Sequence, residues 1–197
     1  MRHANILDIG TNFAVRVHTI EEIEKVVEGL RALKQTIVLT SGTYDIIHLG
    51  HANYLEKARD CGDFLIVGVD SDEKVSRRKG PGRPIVPQEE RLHMLAHLRH
   101  VDAMVLKNVN DPPHHLMKTV RPDVLIISET TKHSQEKIDD MKKYCGRIEL
   151  LQRQAETSTT ARIRNLHIQG IDDFVAQAKQ SIDAVFQQLV EEMKGRG

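Results

Sequence analysis

The chain has 197 residues, with 28 Lys plus Arg matched by 28 Asp plus Glu. That length supports one substantial α/β domain with a full core, and a formal net charge of zero excludes a general nucleic-acid or polyanion binder, which needs a basic excess. Tryptophan is absent and aromatics make up 4% of the chain, which excludes a platform for stacking successive bases.

In chain order, residues 1–17 carry no clear pattern, although "ANILDIG" would suit a short strand or an extended arm. "TIEEIEKVVEGLRALKQ" predicts a helix from Thr19, an N-cap with Glu22 three residues on and Ile20, Ile23, Val26, Val27 and Leu30 at helical spacing. "TIVLTSG" is a β-branched run ending in glycine and predicts a buried strand. "HANYLEKARDCG" predicts a helix closed by Gly62. "DFLIVGVDSD" is the next strand. "SRRKGPGRPIVP" is expected to be a basic loop, rich in glycine and proline. "PQEERLHMLAHLRHV" predicts a helix, "AMVLK" a strand, and "PPHHLMKTVRP" a helix stopped by Pro122. "DVLIIS" is a strand, "SQEKIDDMKKYCG" a helix, "RIELLQR" a strand, and "STTARIRNLHI" opens another helix. After Gly170, Ile171, Phe174, Val175, Ala178, Ile182, Val185, Phe186 and Leu189 form the stripe of a terminal amphipathic helix.

Strands alternate with helices. That order predicts an α/β fold, a Rossmann-like doubly wound parallel sheet with extra N-terminal and C-terminal helices, since parallel crossovers need a helix-length connection. Ligands in such sheets sit at the carboxyl ends of the strands. Gly42, Asp70, Ser128 and the segment after Arg153 all fall at such ends. Cys61 and Cys145 fit no metal spacing and are expected as reduced thiols in a cytoplasmic protein. No apolar run reaches membrane-spanning length, and the N-terminus has no signal-peptide pattern, so no membrane partner is expected.

The stretch "SGTYDIIHLGHANYLEKA" places His48 and His51 where a strand gives way, through a glycine turn, to a helix. A helix N-terminus offers unpaired N–H groups and partial positive charge, which suits a phosphate. Two imidazoles one turn apart share a face there. They can grip a polyphosphate and the charge that builds on it during displacement, and Gly50 lets the backbone approach closely. The plainer alternative, capping or surface histidines, suits a single histidine better than this pair. Zinc would want a third ligand, and no motif supplies one. "ETSTTARIR" is a second anion-suited helix start, with Ser158, Thr159 and Thr160 as hydroxyl donors. "RRKGPGR", Arg77 to Arg83, is a third candidate, a basic loop able to fold over a triphosphate, and Arg91 follows it within reach of the same crevice.

Together, "GTYDIIHLGHANYLEKAR", "GDFLIVGVDSD" and "RRKGPGRPIVPQEERLHMLAHLRHVD" resemble the cytidylyltransferase-like nucleotidyltransferases with their His-x-Gly-His motif. Within that superfamily they are most similar to the adenylyltransferase domain of ADP-heptose synthesis enzymes, and more distantly to glycerol-3-phosphate cytidylyltransferase. The resemblance covers roughly residues 36–168. It implies an N-terminal extension and helix over 1–35, a nucleotidyltransferase domain over 36–168 and a C-terminal helix over 169–197.

The resemblance further implies that His48 and His51 bind the phosphates and stabilise the transition state, with Lys79 neutralising the triphosphate. It implies nucleotide contacts from Gly42, Thr43, Tyr44, Gly50, Arg91, Arg153, Ser158, Thr159 and Thr160. Asp45, Asp70, Arg77, Ser128, Glu129 and Thr130 are the candidates for a base or substrate pocket. No resident metal ligand is implied, but Mg²⁺ accompanies the nucleotide. The expected partners are a nucleoside triphosphate, ATP ahead of CTP, and a phosphorylated small molecule such as a sugar phosphate, acted on by a homodimer. At "IISETTKHSQEK" the chain departs from the heptose-type Gly-Gly-Asp pattern and looks like phosphopantetheine adenylyltransferases. The alternatives are therefore a CTP-dependent enzyme of the glycerol-phosphate or phospho-alcohol type, a phosphopantetheine-type adenylyltransferase, and a non-catalytic nucleotide-binding module.

Overall fold

The computed structural model describes residues 16–129 and 133–152, and residues 174, 175 and 179. The chain forms two compact units, Met1–Glu156 and Thr157–Gly197. In the second unit Phe174, Val175 and Lys179 are helical and exposed. The remainder of the terminal helix expected from the sequence lies outside the described residues.

The first unit runs β1 (Val17–His18), α1 (Ile20–Ala32), β2 (Ile37–Gly42), α2 (Leu49–Arg59), β3 (Phe64–Asp70), α3 (Asp72–Lys79) and α4 (Gln88–Ala96). It continues with β4 (Ala103–Lys107), α5 (His115–Val120), β5 (Val124–Ser128), α6 (Gln135–Met141), a 3₁₀ turn and β6 (Arg147–Leu151). The six strands form one sheet in the order β1-β4-β3-β2-β5-β6, and every pairing is parallel. The doubly wound α/β fold expected from the sequence is present.

The central strands are apolar on both faces, as buried parallel strands are. Val38, Leu65 and Val67 pack with Leu55, Leu92 and Leu95 on one face. Ile37, Leu39 and Ile66 pack with Ile23, Val27, Leu116 and Val120 on the other. Helix α1 opens with the expected capping box: the Glu22 N–H donates to Thr19 Oγ1 at 3.2 Å, and the Thr19 N–H to Glu22 Oε2 at 2.8 Å.

Two elements differ from the sequence reading. Residues Val17 and His18 pair with Met104 and Val105 as an edge strand, too short to carry a pattern. Just before them, buried Arg16 donates from Nη1 to the carbonyls of Ala96, Leu98 and Val101, at 2.8, 3.1 and 3.0 Å. It thereby closes the C-terminus of α4, as cations do there. The second difference is that "SRRK" is not loop. Helix α3 runs through Lys79, started by Ser71, whose hydroxyl accepts from the Lys74 N–H at 3.3 Å. Acidic Asp72 and Glu73 in its first turn and basic Arg77, Arg78 and Lys79 in its last complement the helix dipole. Gly80 and Gly82, at φ 94° and 83°, then make the turn that follows.

Candidate active site

A parallel sheet brings all its strand carboxyl ends to one edge. Gly42, Asp70, Lys107 and Ser128 stand there, at the ends of β2, β3, β4 and β5. From this edge the chain after β2 turns into α2. His48 is the N-cap of that helix, extended at φ −143° and ψ 170°. Its ring takes the place that a serine or aspartate usually fills: Nδ1 accepts from the Gly50 N–H at 3.1 Å. An Nδ1 that accepts puts the neutral ring's proton on Nε2, so His48 carries a fixed donor on its far side.

His51 lies one turn on, its N–H bonded to the His48 carbonyl at 2.8 Å. The two rings are in contact, with centroids 4.0 Å apart and planes inclined by 33°. Tyr44 supports His51 edge-on at 5.6 Å. Burial, reinforced by His48 and then by Lys79, lowers the His51 pKa from 6.5 to about 4. Its Nδ1 is buried with no hydrogen-bond partner among the described residues. His51 is therefore a neutral, largely desolvated imidazole with the Lys79 ammonium near it, a setting in which an arriving anion favours its protonation.

The turn beneath these rings is tightly built. Tyr44 sits at φ 52°, in the left-handed region that non-glycine residues seldom occupy, with its ring buried. A Cβ on Gly42 would lie 2.9 Å from Tyr44 Cε2, which explains the glycine. Asp45, buried, accepts from the N–H groups of Ile85 and Val86 and from Arg83 Nη1, each at 2.9 Å. It fastens the glycine-proline loop to the histidine turn. The pocket role expected for Asp45 gives way to this latch, because its oxygens already meet three donors.

Arg91 requires a correction of the same kind. The sequence reading had it reach the phosphates, but its side chain is fully buried. Nε donates to the Val86 carbonyl at 3.0 Å, Nη1 to the Thr43 carbonyl, and Nη2 to the Asp70 carbonyl and to Asp72 Oδ1, both at 2.8 Å. Arg91 joins the histidine turn, the end of β3 and the basic loop from below. It is a strut of the site rather than a group that faces the crevice.

Arg77 is also displaced from its expected pocket role. It points outward, 65% exposed, and pairs with Glu73 at 2.7 Å one helical turn away. Lys79, the last residue of α3, is exposed and makes no ion pair among the described residues. Desolvation first and Arg78 second lower its pKa, with Asp45, Arg83 and Asp70 also acting on it. Arg78, the residue before Lys79, donates to Thr43 Oγ1 at 2.7 Å, so the fold brings the His-x-Gly-His turn and the end of α3 to one place.

Sequence reasoning passed over Arg78 and Lys107. Arg78 Nη2 meets Thr43 Oγ1 at 2.7 Å and Asp70 Oδ2 at 2.9 Å. Lys107 Nζ lies 3.5 Å from Asp70 Oδ1. Asp70 is thus the buried counter-ion of two cations, not a free pocket carboxylate. The signal for Arg78 was its phase: it lies three residues after buried Val75, on the inward face of α3, while Arg77 falls outside. Ser128 ends β5 at the same edge, and the Glu129 N–H donates to the Leu151 carbonyl at 3.0 Å. Thr130, Arg153, Ser158, Thr159 and Thr160 lie outside the described residues.

Residues 39–187 match the cytidylyltransferase-like family. The chain belongs to that family. That membership is what the His-x-Gly-His turn led one to expect. It is 40% identical over 149 residues to the bifunctional protein HldE of a Nitratiruptor species, covering 76% of this chain and 32% of that protein. With the bifunctional protein HldE of Pseudomonas fluorescens it shares 41% over 155 residues, again 76% of this chain and 32% of the other. The chain therefore spans about a third of the length of these relatives, 31–32% in the first two. Among solved structures, the lipopolysaccharide core biosynthesis protein from Thermoplasma volcanium superposes with a TM-score of 0.52 at 24% identity, over 63% of this chain and 99% of that one. Pantoate-beta-alanine ligase from Francisella tularensis superposes with a TM-score of 0.54 at 16% identity, over 77% of this chain and 73% of the other. Both likenesses are of fold.

Proposed function

We propose that the chain transfers the adenylyl group of ATP to the phosphate of a sugar phosphate and releases pyrophosphate. The observation that carries this reading is the contact pair His48–His51 at the start of α2, with Lys79 acting on it. The heptose-like basic loop and the similarity to HldE proteins favour adenosine and a sugar acceptor.

In this reaction an oxygen of the acceptor phosphate attacks the α-phosphorus. A P–O bond forms there as the bond from that phosphorus to the bridging oxygen breaks, and the electron pair leaves on pyrophosphate. The protein supplies position and charge, not a nucleophile. His48 Nε2–H and the first-turn N–H groups of α2 meet the phosphates. His51 donates to the oxygens on which charge grows, and Lys79 balances the departing pyrophosphate. The backbone of Gly42, Thr43 and Tyr44 lines the nucleotide, held in shape by Arg91. Mg²⁺ belongs to the proposal as part of the nucleotide substrate. The described residues contain no group of three or more His, Cys, Asp or Glu that would cage an ion, and Asp45 and Asp70 are engaged by arginine and lysine. The ion rides on the phosphates and shares their charge.

The test is pyrophosphate release with ATP or CTP, Mg²⁺ and a panel of sugar 1-phosphates, glycerol phosphate and phosphopantetheine. Release is expected with ATP and a sugar phosphate. Release with CTP alone would replace adenylyl by cytidylyl transfer. Tight nucleotide binding with no release from any acceptor would make the chain a nucleotide-binding module.

A further inference from the structure

The β3–β4 side of the crevice holds an electrostatic arrangement that the triphosphate reading leaves unused. Asp70 and Lys107 face each other in register at the ends of their strands. The carboxylate of Asp70 is nearly inaccessible, 4% exposed, yet it meets both Lys107 and Arg78. One carboxylate against two cations leaves one positive charge in excess. Lys74 adds to it: its ammonium donates to the Asn108 carbonyl at 3.2 Å, and its field bears on Lys107.

The arrangement is built rather than incidental. The stem of Lys107 crosses β3 over Gly68, where a Cβ would come within 2.7 Å of Lys107 Cδ and 2.6 Å of Ser41 Oγ. A side chain at Gly68 would collide with the Lys107 stem, Ser41 and Leu116. The desolvation that lowers the Lys107 pKa is opposed by Asp70. Among the described residues Arg78 is anchored through one nitrogen. Nη2 meets both Thr43 and Asp70, and among the described residues Nε and Nη1 keep their N–H donors for another acceptor. The side chain is 54% exposed. A guanidinium oriented by two bonds on one nitrogen and open at the others is pre-organised for a phosphate. Ser41, exposed at the same edge, adds a hydroxyl.

We propose that Arg78 and Lys107, held apart and aimed by Asp70 with Ser41 beside them, form the subsite for the phosphate of the acceptor substrate. The proposal rests on the nucleotidyl-transfer reading. That reading has two highly charged molecules meeting end to end, with the attacking phosphate on the side of the α-phosphorus opposite pyrophosphate. Their mutual repulsion requires separate cations. His48, His51 and Lys79 serve the triphosphate, and the Arg78–Lys107 pair, from α3 and the end of β4, serves the partner. The acceptor is accordingly a phosphate dianion on a small hydroxylated molecule.

Two measurements on Arg78→Met, Lys107→Met and the outward control Arg77→Ala test this. The first follows the Ser41 and Gly68 amide resonances, present in every variant, while inorganic phosphate is titrated into nucleotide-saturated protein. A saturable shift is expected in wild type and Arg77→Ala, and its loss in the two Met variants. The absence of a saturable shift in wild type, or an unchanged one in both Met variants, overturns the subsite. The second is steady-state turnover with whichever acceptor releases pyrophosphate. KM for the acceptor is expected to rise at least about tenfold in each Met variant, as for a lost charged hydrogen bond, with KM for the nucleotide within about twofold. Equal rises in both KM values would assign the pair to the triphosphate and overturn the proposal. Saturable phosphate binding without turnover on any acceptor would leave the subsite standing and refute the transfer reading instead.

Discussion

On the α2 side of the crevice the groups that meet the ligand are neutral imidazoles and backbone N–H groups; on the α3 and β4 side they are full cations. The imidazoles are half-buried, in contact with each other, and fixed by a helix start. The cations, Arg78 54% and Lys107 26% exposed, ride on the Asp70 carboxylate. Directional donors that are already desolvated cost little reorganisation when charge develops in front of them. Exposed cations give attraction at longer range, which salt weakens. The first flank is suited to the reacting phosphorus, and the second to recruiting and separating charged substrates. Arg91 lies under both and fixes their spacing.

If this division holds, the largest effect comes from the strut. Arg91→Met leaves four acceptors without their buried donor. It should destabilise the protein by about 3–5 kcal/mol, the range for breaking a buried charged network, measured by denaturant unfolding. Loss of activity with unchanged stability would return Arg91 to the crevice. His51→Ala comes next. It should lower kcat by about 10²–10³-fold, as for other donors to a developing charge, and leave the melting temperature little changed. An unchanged kcat would remove His51 from the chemistry. Lys79→Ala should raise KM for the nucleotide about tenfold at low salt, and by less as salt is added. The same change at all ionic strengths would contradict its role as an exposed counter-charge. The smallest effect separates the two duties of His48. His48→Ala should lose about 1 kcal/mol of stability with the helix cap. His48→Asn should keep that stability, since asparagine caps well, and lose turnover as fully as alanine does.

The fold was legible because its signals are local and repeated. β-branched runs, capped helices and alternation gave five of the parallel strands and their order along the chain. The edge strand Val17–His18 was not legible, since two residues hold no period, and its position depends on Met104 and Val105 far along the chain. The histidine pair was legible from spacing at a helix start. The roles of the charged residues were not, because an arginine's task depends on what surrounds it in space. Arg91 reads as a crevice cation in "EERLHML" until the carbonyls of Val86 and of distant Thr43 and Asp70 close around it. Arg77 and Arg78 are adjacent in sequence but about 100° apart on a helix, and reading "SRRK" as loop hid that phase. Asp45 and Asp70 carry nothing in sequence that announces the loop N–H groups and cations they hold.

The central claim is that His51 is a neutral, desolvated imidazole that a nucleotide's phosphates engage. NMR titration of the labelled imidazoles in the free protein, and again with a non-hydrolysable Mg²⁺–nucleotide analogue, tests it most directly. The account predicts a His51 midpoint of about 4 in the free protein, below the ordinary 6.5. Because the folded value lies below the unfolded one, His51 should leave stability unchanged above pH 6.5 and reduce it as pH falls from there toward about 4. With the analogue bound, the His51 midpoint should rise and the His48 Nε2–H resonance should shift. A His51 that titrates near 6.5 in the free protein and does not respond to the nucleotide would contradict the account.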